Sequence, residues 1–389
     1  MPIKNRFSEL HDEITKWRQD FHTHPELMFD TFRTADLVAK RLKEFGVDEI
    51  VTGIGRTGVV GVIKGREQTS GKVIGLRADM DALPIKEMTG LSYASQTSGV
   101  MHACGHDGHT AMLLGAAKYL AETRHFDGTV VVIFQPAEEG GGGGREMCED
   151  GLMDRFNIQE VYAMHNWPTL KEGEFKIKSG PFLASSDLID IVLTGKGGHA
   201  AKPHETIDTT LVASHVILAL QSIASRNVDP VDHVVVSITS FETSSNAFNV
   251  IPERVHMKGT VRCLSEAVRE LSEERLISIV EKTAEAYGAT AQVTYKRSYP
   301  VTVNAEEQTT YAAAVATKIA GSCGDSSYFM GAEDFSFMLT ERPGAYILLG
   351  NGENSAPVHT ETYNFNDEII PAGCSWFAGI AEERMPLVG

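Results

Sequence analysis

The middle of this chain reads as a unit complete in itself, and that constrains how everything around it can fold. Apolar alternation marks strands at Asp187–Leu193, His233–Phe241, Arg254–Arg262 and Thr290–Arg297, and helical periodicity marks Asp208–Arg226 and Glu266–Tyr287. The order βαββαβ is that of a ferredoxin-like α+β unit, which closes its own sheet and borrows no strand from outside. Residues 185–298 are therefore expected to be an inserted domain, with 1–184 and 299–389 rejoining as one discontinuous domain. A chain of 389 residues, 42% of them hydrophobic, can bury the two cores this requires.

The flanking segments follow a different rule. Short apolar runs at Val73–Ala78, Thr129–Phe134, Glu160–Met164 and Ala345–Gly350 read as buried strands. Between them lie amphipathic helices over 7–24 and 33–45 and an Ala- and Leu-rich helix over Thr110–Arg124. Such alternation predicts an α/β domain, a mixed and largely parallel sheet with helices on both faces, whose ligands gather beyond the strand carboxyl ends. Asp79, the pair Glu138–Glu139 and His165 each sit at such an end, and His359 lies beyond the last strand.

Charge and cysteine usage narrow the function classes. A formal net charge of -17 disfavours nucleic acid and anionic membrane surfaces, both of which need a basic face. No apolar run is long enough to span a bilayer, and the N-terminal segment is amphipathic, so a cytoplasmic, unexported protein is expected. Five scattered cysteines, at 104, 148, 263, 323 and 374, argue against a disulfide framework.

Cys104 stands apart in His102-Ala-Cys-Gly-His-Asp-Gly-His109. Thiolate, imidazole and carboxylate are the ligand vocabulary of zinc and similar first-row ions, and Cys104, His106 and Glu139 supply all three. Adjacent carboxylates such as Glu138 and Glu139 repel unless a cation lies between them. One can then ligate while the other, Glu138, holds a water as general base, the division of labour that metal-assisted hydrolysis needs. From the residues alone, His165 and His359 are open between ligands and structural imidazoles. His102 and His109 read as supporting or capping groups. Asp79 and Asp81, alternating just past a strand, either orient ligands and base or simply form an Asp-rich turn.

Two glycine motifs compete with this reading. Gly53-Ile-Gly-Arg-Thr-Gly58 matches a dinucleotide fingerprint, but it is followed by the alternating run Val59–Gly65 instead of a helix, so a hairpin turn is expected. Gly140–Gly144 lacks the Lys-Ser/Thr ending of a phosphate loop and reads as a flexible turn that lets backbone approach closely.

Four ordered motifs then carry a family resemblance: Met101-His-Ala-Cys-Gly-His-Asp-Gly-His109, Gln135-Pro-Ala-Glu-Glu-Gly140, Gly195-Lys-Gly-Gly-His199 and Phe248-Asn-Val-Ile-Pro252. With Gly331-Ala-Glu-Asp-Phe335 and Ala356-Pro-Val-His359, the chain resembles, over nearly its whole length, the aminoacylase/hippurate hydrolase amidohydrolases. These are relatives of plant auxin-amino-acid hydrolases within the aminoacylase and glutamate carboxypeptidase superfamily.

The resemblance implies two divalent metal ions on Cys104, His106, Glu139, His165 and His359, with Glu138 as base and Asp81 in support. It implies that the inserted domain is a lid and dimerisation domain. His199 would help hold the oxyanion, in its own or its partner's site, and Asn249 and Arg262 would grip the substrate carboxylate. The wider superfamily commonly carries His-x-Asp where this chain has Asp79-Met80-Asp81, which leaves metal identity open among zinc, manganese, nickel and cobalt. The implied reaction is hydrolysis of N-acyl amino acids through general-base activation of a metal-bound water. A dipeptidase or carboxypeptidase using the same site is the alternative, and a non-catalytic metal-binding protein is the reading from another class.

Overall fold

A computed structural model describes residues 2–387. Its contacts divide the chain into two compact units, one of residues 1–180, 303–327 and 334–389, the other of residues 181–302 and 328–333.

The first unit is built on an eight-stranded mixed sheet. Its strand order is Glu49–Ile54, Gly58–Lys64, Thr129–Gln135, Val73–Asp79, Glu160–Pro168, Gly344–Gly352, Phe175–Ile177 and Cys323–Asp325. The four central strands from Thr129–Gln135 to Gly344–Gly352 run parallel, and both edges carry antiparallel pairings. Nearly every residue of these four is buried, because helices cover both faces and leave neither to water. Helices Pro2–Thr23, His106–Thr123 and Ile370–Arg384 pack together, and Gly143–Glu149 packs on Phe335–Glu341. The core runs through Trp17, Phe134, Tyr162 and Trp376. Because the central strands are parallel, their carboxyl ends share one edge of the sheet.

Strands Glu49–Ile54 and Gly58–Lys64 pair antiparallel, so Gly53–Gly58 is the hairpin turn that its sequence predicts. Two elements run further than their patterns. The helix expected from Thr110 starts at His106, and the strand expected to stop at Met164 continues through His165 to Pro168.

The second unit is a ferredoxin-like βαββαβ fold. Its antiparallel sheet has the order Val234–Thr243, Arg254–Cys263, Ser186–Thr194, Thr290–Tyr299. Helices Thr209–Leu220 and Glu266–Ala286 cover one face of it. Each helix starts where a side chain takes up its free N–H groups: Asp208 accepts from Thr210 and Leu211, and Ser265 accepts from Val268.

Candidate metal centre

The candidate ligands of the first unit converge from four distant segments. Cys104 lies in the turn before helix His106–Thr123, and His106 is that helix's first residue. Gly105 makes the junction possible. Its φ is 96°, and a Cβ there would lie 2.0 Å from Asn166 Oδ1. Glu138 and Glu139 follow strand Thr129–Gln135 after Ala137, which takes a left-handed φ of 54°. His165 is inside its strand, and His359 reaches the site on a loop with a φ of 63°, its N–H donating to Ala103 O at 2.7 Å.

Three overlapping groups of donor atoms result: Cys104, His106 and His165; Cys104, Glu139 and His359; His106, Glu138 and Glu139. Within each group the donor atoms lie within 4.8 Å of one another. Cys104 Sγ is 3.3 Å from His165 Nε2, and His359 Nε2 is 3.2 Å from Glu139 Oε1. His165 Nδ1 donates to Asn166 O at 2.5 Å, which leaves the Nε2 lone pair facing the thiol, the tautomer a ligand requires. Most of the donors are buried, but the His359 side chain is 52% exposed and forms the open side of the cluster.

The structure tests whether these residues fit a cation. Both ring nitrogens of His106 and Oε1 of Glu139 are buried with charged neighbours in reach but no well-aligned hydrogen bond, which folded proteins avoid unless another group completes the site. Charge points the same way. Burial, then the charges of Glu139, Glu138 and Asp79, push the Cys104 thiol well above its ordinary range. Burial, then Glu139, raises Asp81, while burial holds His165 neutral. Burial opposes protonation of His106, yet Asp79, Asp81 and Glu139 together push it up to about 10. Carboxylates and a thiol are thus gathered around imidazoles, and the donor set suits divalent ions of the zinc type.

Asp81 is a support for the glutamate pair. Its Oδ1 accepts the Glu138 N–H at 3.0 Å and its Oδ2 the Glu139 N–H at 3.1 Å, fixing the backbone of both. Asp81 Oδ1 also lies 3.3 Å from His106 Nδ1. His109 is engaged elsewhere: Nδ1 donates to Asp79 Oδ1 at 2.6 Å, and Nε2 accepts the Asn166 N–H at 3.0 Å. His102 is buried, and burial lowers it to about 3, so it is neutral.

The remaining sequence-selected residues belong to the second unit. His199 forms a two-residue strand paired with Val250, and Asn249 O accepts the Ala200 N–H at 3.0 Å, so His199 and Asn249 share one exposed turn. Arg262 does not join them. It is half-buried near the Cys263 end of strand Arg254–Cys263, whereas the turn adjoins the Arg254 end, a strand length away at roughly 3.3 Å per residue.

Residues that the sequence did not single out complete the first unit's site. Asn166 Nδ2 donates to the buried Tyr363 hydroxyl at 2.6 Å, and Arg77 and Asp334 are joined by a buried ion pair at 2.9 Å. Asp334 does lie inside the motif Gly331–Phe335 and Arg77 inside the strand run Val73–Ala78, but neither position points to the other.

Comparison with known proteins supplies the family. Over 376 residues the chain is 44% identical to a hippurate hydrolase of Campylobacter jejuni, covering 96% of this chain and 97% of the relative. It is 38% identical over 380 residues to thermostable carboxypeptidase 1 of Saccharolobus solfataricus, covering 95% of each. Among solved structures it is similar to the Bacillus subtilis YXEP protein, described as a dinuclear metal-binding peptidase, with a TM-score of 0.86 and 33% identity over 98% of this chain and 100% of that one. The sequence model of peptidase family M20/M25/M40 matches residues 75–383, which takes in all five candidate ligands and the whole inserted unit, and the chain belongs to that family.

Proposed function

We propose that this chain is a metal-dependent amidohydrolase that cleaves N-acyl amino acids of the hippurate or N-acetyl type into a carboxylic acid and an amino acid. The observation that carries the reading is the convergence of four buried or part-buried donors and the exposed His359, with one further carboxylate, Glu138, beside them. Cys104, His106, Glu139, His165 and His359 would hold two divalent ions, of zinc, manganese, nickel or cobalt. Such ions lower the pKa of water toward neutrality and polarise an amide carbonyl.

The chain's own residues supply the rest. Glu138, its backbone held by Asp81, accepts the proton of the attacking water and delivers it to the departing nitrogen as the C–N bond breaks. No covalent enzyme intermediate forms. His199 donates to the carbonyl oxygen as it gains charge, and Asn249, on the same turn, meets the substrate carboxylate. Arg262 would meet the same carboxylate through its bidentate fork where the turn of His199 and Asn249 comes from a partner copy, because one copy holds the two at opposite ends of a strand.

A carboxypeptidase or dipeptidase reading is favoured by the 38% identity to thermostable carboxypeptidase 1. Metal analysis of the purified protein, with hippurate, N-acetyl amino acids and dipeptides assayed side by side, separates the two. The amidohydrolase reading expects bound divalent ions and the highest kcat/KM on an N-acyl amino acid. Preference for dipeptides supports the second, and ions without turnover on any of the three would mean a non-catalytic metal-binding protein.

The inserted unit is proposed as lid and dimer contact. Its edge strand Val234–Thr243 exposes Val235 and Phe241, and helix Thr209–Leu220 exposes Leu218. The substrate is a small molecule; the charge of -17 speaks against nucleic acid and membrane surfaces. Among the described residues no helix is long and apolar enough to cross a membrane, and all five cysteines are unpaired, which supports a cytoplasmic placement.

A further inference from the structure

A buried charge cluster stands behind the candidate metal centre, and its geometry goes beyond holding the fold together. Arg77, on strand Val73–Asp79, is 1% exposed, and Asp79 and Asp334 are fully buried. Arg77 Nη1 donates to Asp79 Oδ2 at 2.8 Å, Nη2 to Asp334 Oδ1 at 2.9 Å and Nε to Gln135 Oε1 at 2.9 Å. One planar guanidinium thus addresses three side chains along fixed directions, which a lysine cannot do.

Each carboxylate leads on to a different part of the centre. The other oxygen of Asp79 accepts from His109 Nδ1 at 2.6 Å, and its Oδ2 lies 3.7 Å from Nε2 of the candidate ligand His106. Asp334 Oδ2 accepts the Gly144 N–H at 2.8 Å, and both its oxygens accept from Gln135 Nε2 at 2.8 Å. Gln135 and Gly144 bracket the segment that carries Glu138 and Glu139. The glycine run opens as the turn that its sequence predicts, at Gly140 and Gly141, and helix Gly143–Glu149 begins within it. A Cβ on Gly144 would come within 2.7 Å of Asp334 O, so the approach needs glycine.

Stability alone is a poor reason for such a cluster. Desolvating a guanidinium and two carboxylates costs several kcal/mol per ion, and well-packed apolar residues of the same volume often serve a core as well or better. What apolar residues cannot do is fix the direction of a histidine ligand and the register of a carboxylate-bearing loop from one point.

We propose that Arg77 and Asp334 are positioning residues of the hydrolytic centre, Arg77 aiming Asp79 at the His106–His109 side while Asp334 clamps the Gln135–Gly144 segment that presents Glu138 and Glu139. The proposal rests on the metal-centre reading above. It assigns work to two motifs that the reaction itself leaves idle, Gly140–Gly144 and Gly331–Phe335.

The test uses the full chain, stripped of metal and titrated with manganese chloride by calorimetry, alongside steady-state kinetics on hippurate. Asp334→Asn keeps the shape and removes the charge; Arg77→Lys keeps the charge and removes the fork. Supporting outcomes are folded variants whose manganese affinity and kcat each fall about 10- to 100-fold while KM stays within about twofold. Asp334→Asn decides if Arg77→Lys fails to fold. The proposal is overturned if the folded variants melt earlier yet keep kcat and manganese affinity within about twofold of the parent, since a purely structural cluster would behave so. A parent that binds no manganese and cleaves no hippurate would bring down the hydrolase reading itself, a result distinct from parent-like variants of an active parent.

Discussion

Each unit buries a guanidinium against carboxylate, and the two clusters are put to different ends. In the inserted unit, the fully buried Asp187 accepts from Arg269 at 2.9 and 2.5 Å, from the Tyr295 hydroxyl at 2.8 Å and from the Ser298 N–H at 3.1 Å. Four donors saturate it, and it joins the first and last strands of the sheet to helix Glu266–Ala286. In the catalytic unit the cluster around Arg77 opens toward donors that stay unsatisfied, His106 and Glu139. A closed network spends its directionality on fold specificity, whereas an open one hands it to whatever completes it. Perturbing the first should move stability, and perturbing the surroundings of the second should move activity.

The sharpest separation is expected at Glu138. Glu138→Gln removes the proton acceptor but keeps the volume, and kcat should fall about 10² to 10⁴-fold with metal content nearly unchanged. Kinetics on hippurate with metal analysis of the same sample check this; near-parental turnover would end the assignment of Glu138 as base. The mirror experiment is Asp187→Ala. It strands Arg269, Tyr295 and Ser298 without their common acceptor, and a loss of about 3 to 5 kcal/mol is expected in denaturant unfolding. Folded protein of this variant should keep parental kcat, and a kcat that fell along with stability would erase the contrast between the clusters.

Chelation should act on one unit alone. An ion present at a hundred times its dissociation constant stabilises the state that binds it by about 2.7 kcal/mol. All five candidate ligands belong to the unit of residues 1–180, 303–327 and 334–389. In scanning calorimetry, stripping the ions should lower the transition of that unit and leave any separate transition of the inserted unit in place. A chelator that shifted neither would contradict the ligand set.

The same contrast explains what could be read from the sequence. The inserted unit announces itself because its strands alternate buried and exposed residues, and because Asp208 and Ser265 stand where helices begin. In the catalytic unit, polar residues are buried at the ends of elements, and there pattern fails. Helix His106–Thr123 was expected four residues late because His106, Asp107 and His109, all buried, look like loop composition. His165 and Asn166 hid the end of their strand for the same reason. The five ligand candidates were legible through donor chemistry and family motifs. Arg77 and Asp334 were not, since a hydrogen bond spanning 257 residues leaves no local trace, and a lone arginine or aspartate has no period. Asn166 and Tyr363 carried no signal at all.

A smaller effect tests whether a satisfied ion pair in the catalytic unit behaves like the closed network of the inserted one. Glu160 Oε2 accepts from Arg384 Nε at 2.9 Å and from the Tyr162 hydroxyl at 2.6 Å, well away in sequence from every candidate ligand except through its own strand. Burial alone would raise the Glu160 carboxyl, but the hydrogen bonds from Arg384 and Tyr162 and the charge of Arg384 outweigh it and hold it below its ordinary value. A carboxylate lowered in the folded state contributes stability that is complete above its unfolded pKa, about 4.3, and drains away as pH falls through the lower folded value. Glu160→Gln should therefore cost about 1.5 kcal/mol at pH 7, the low end for a hydrogen bond to a charged group. The gap between variant and parent should narrow steadily as unfolding is followed below about pH 4, while kcat at pH 7 stays parental. A gap that held constant into acid would mean that packing around Tyr162, and not the charge on Glu160, sets the loss; a falling kcat would place this pair on the open side of the comparison, with Arg77.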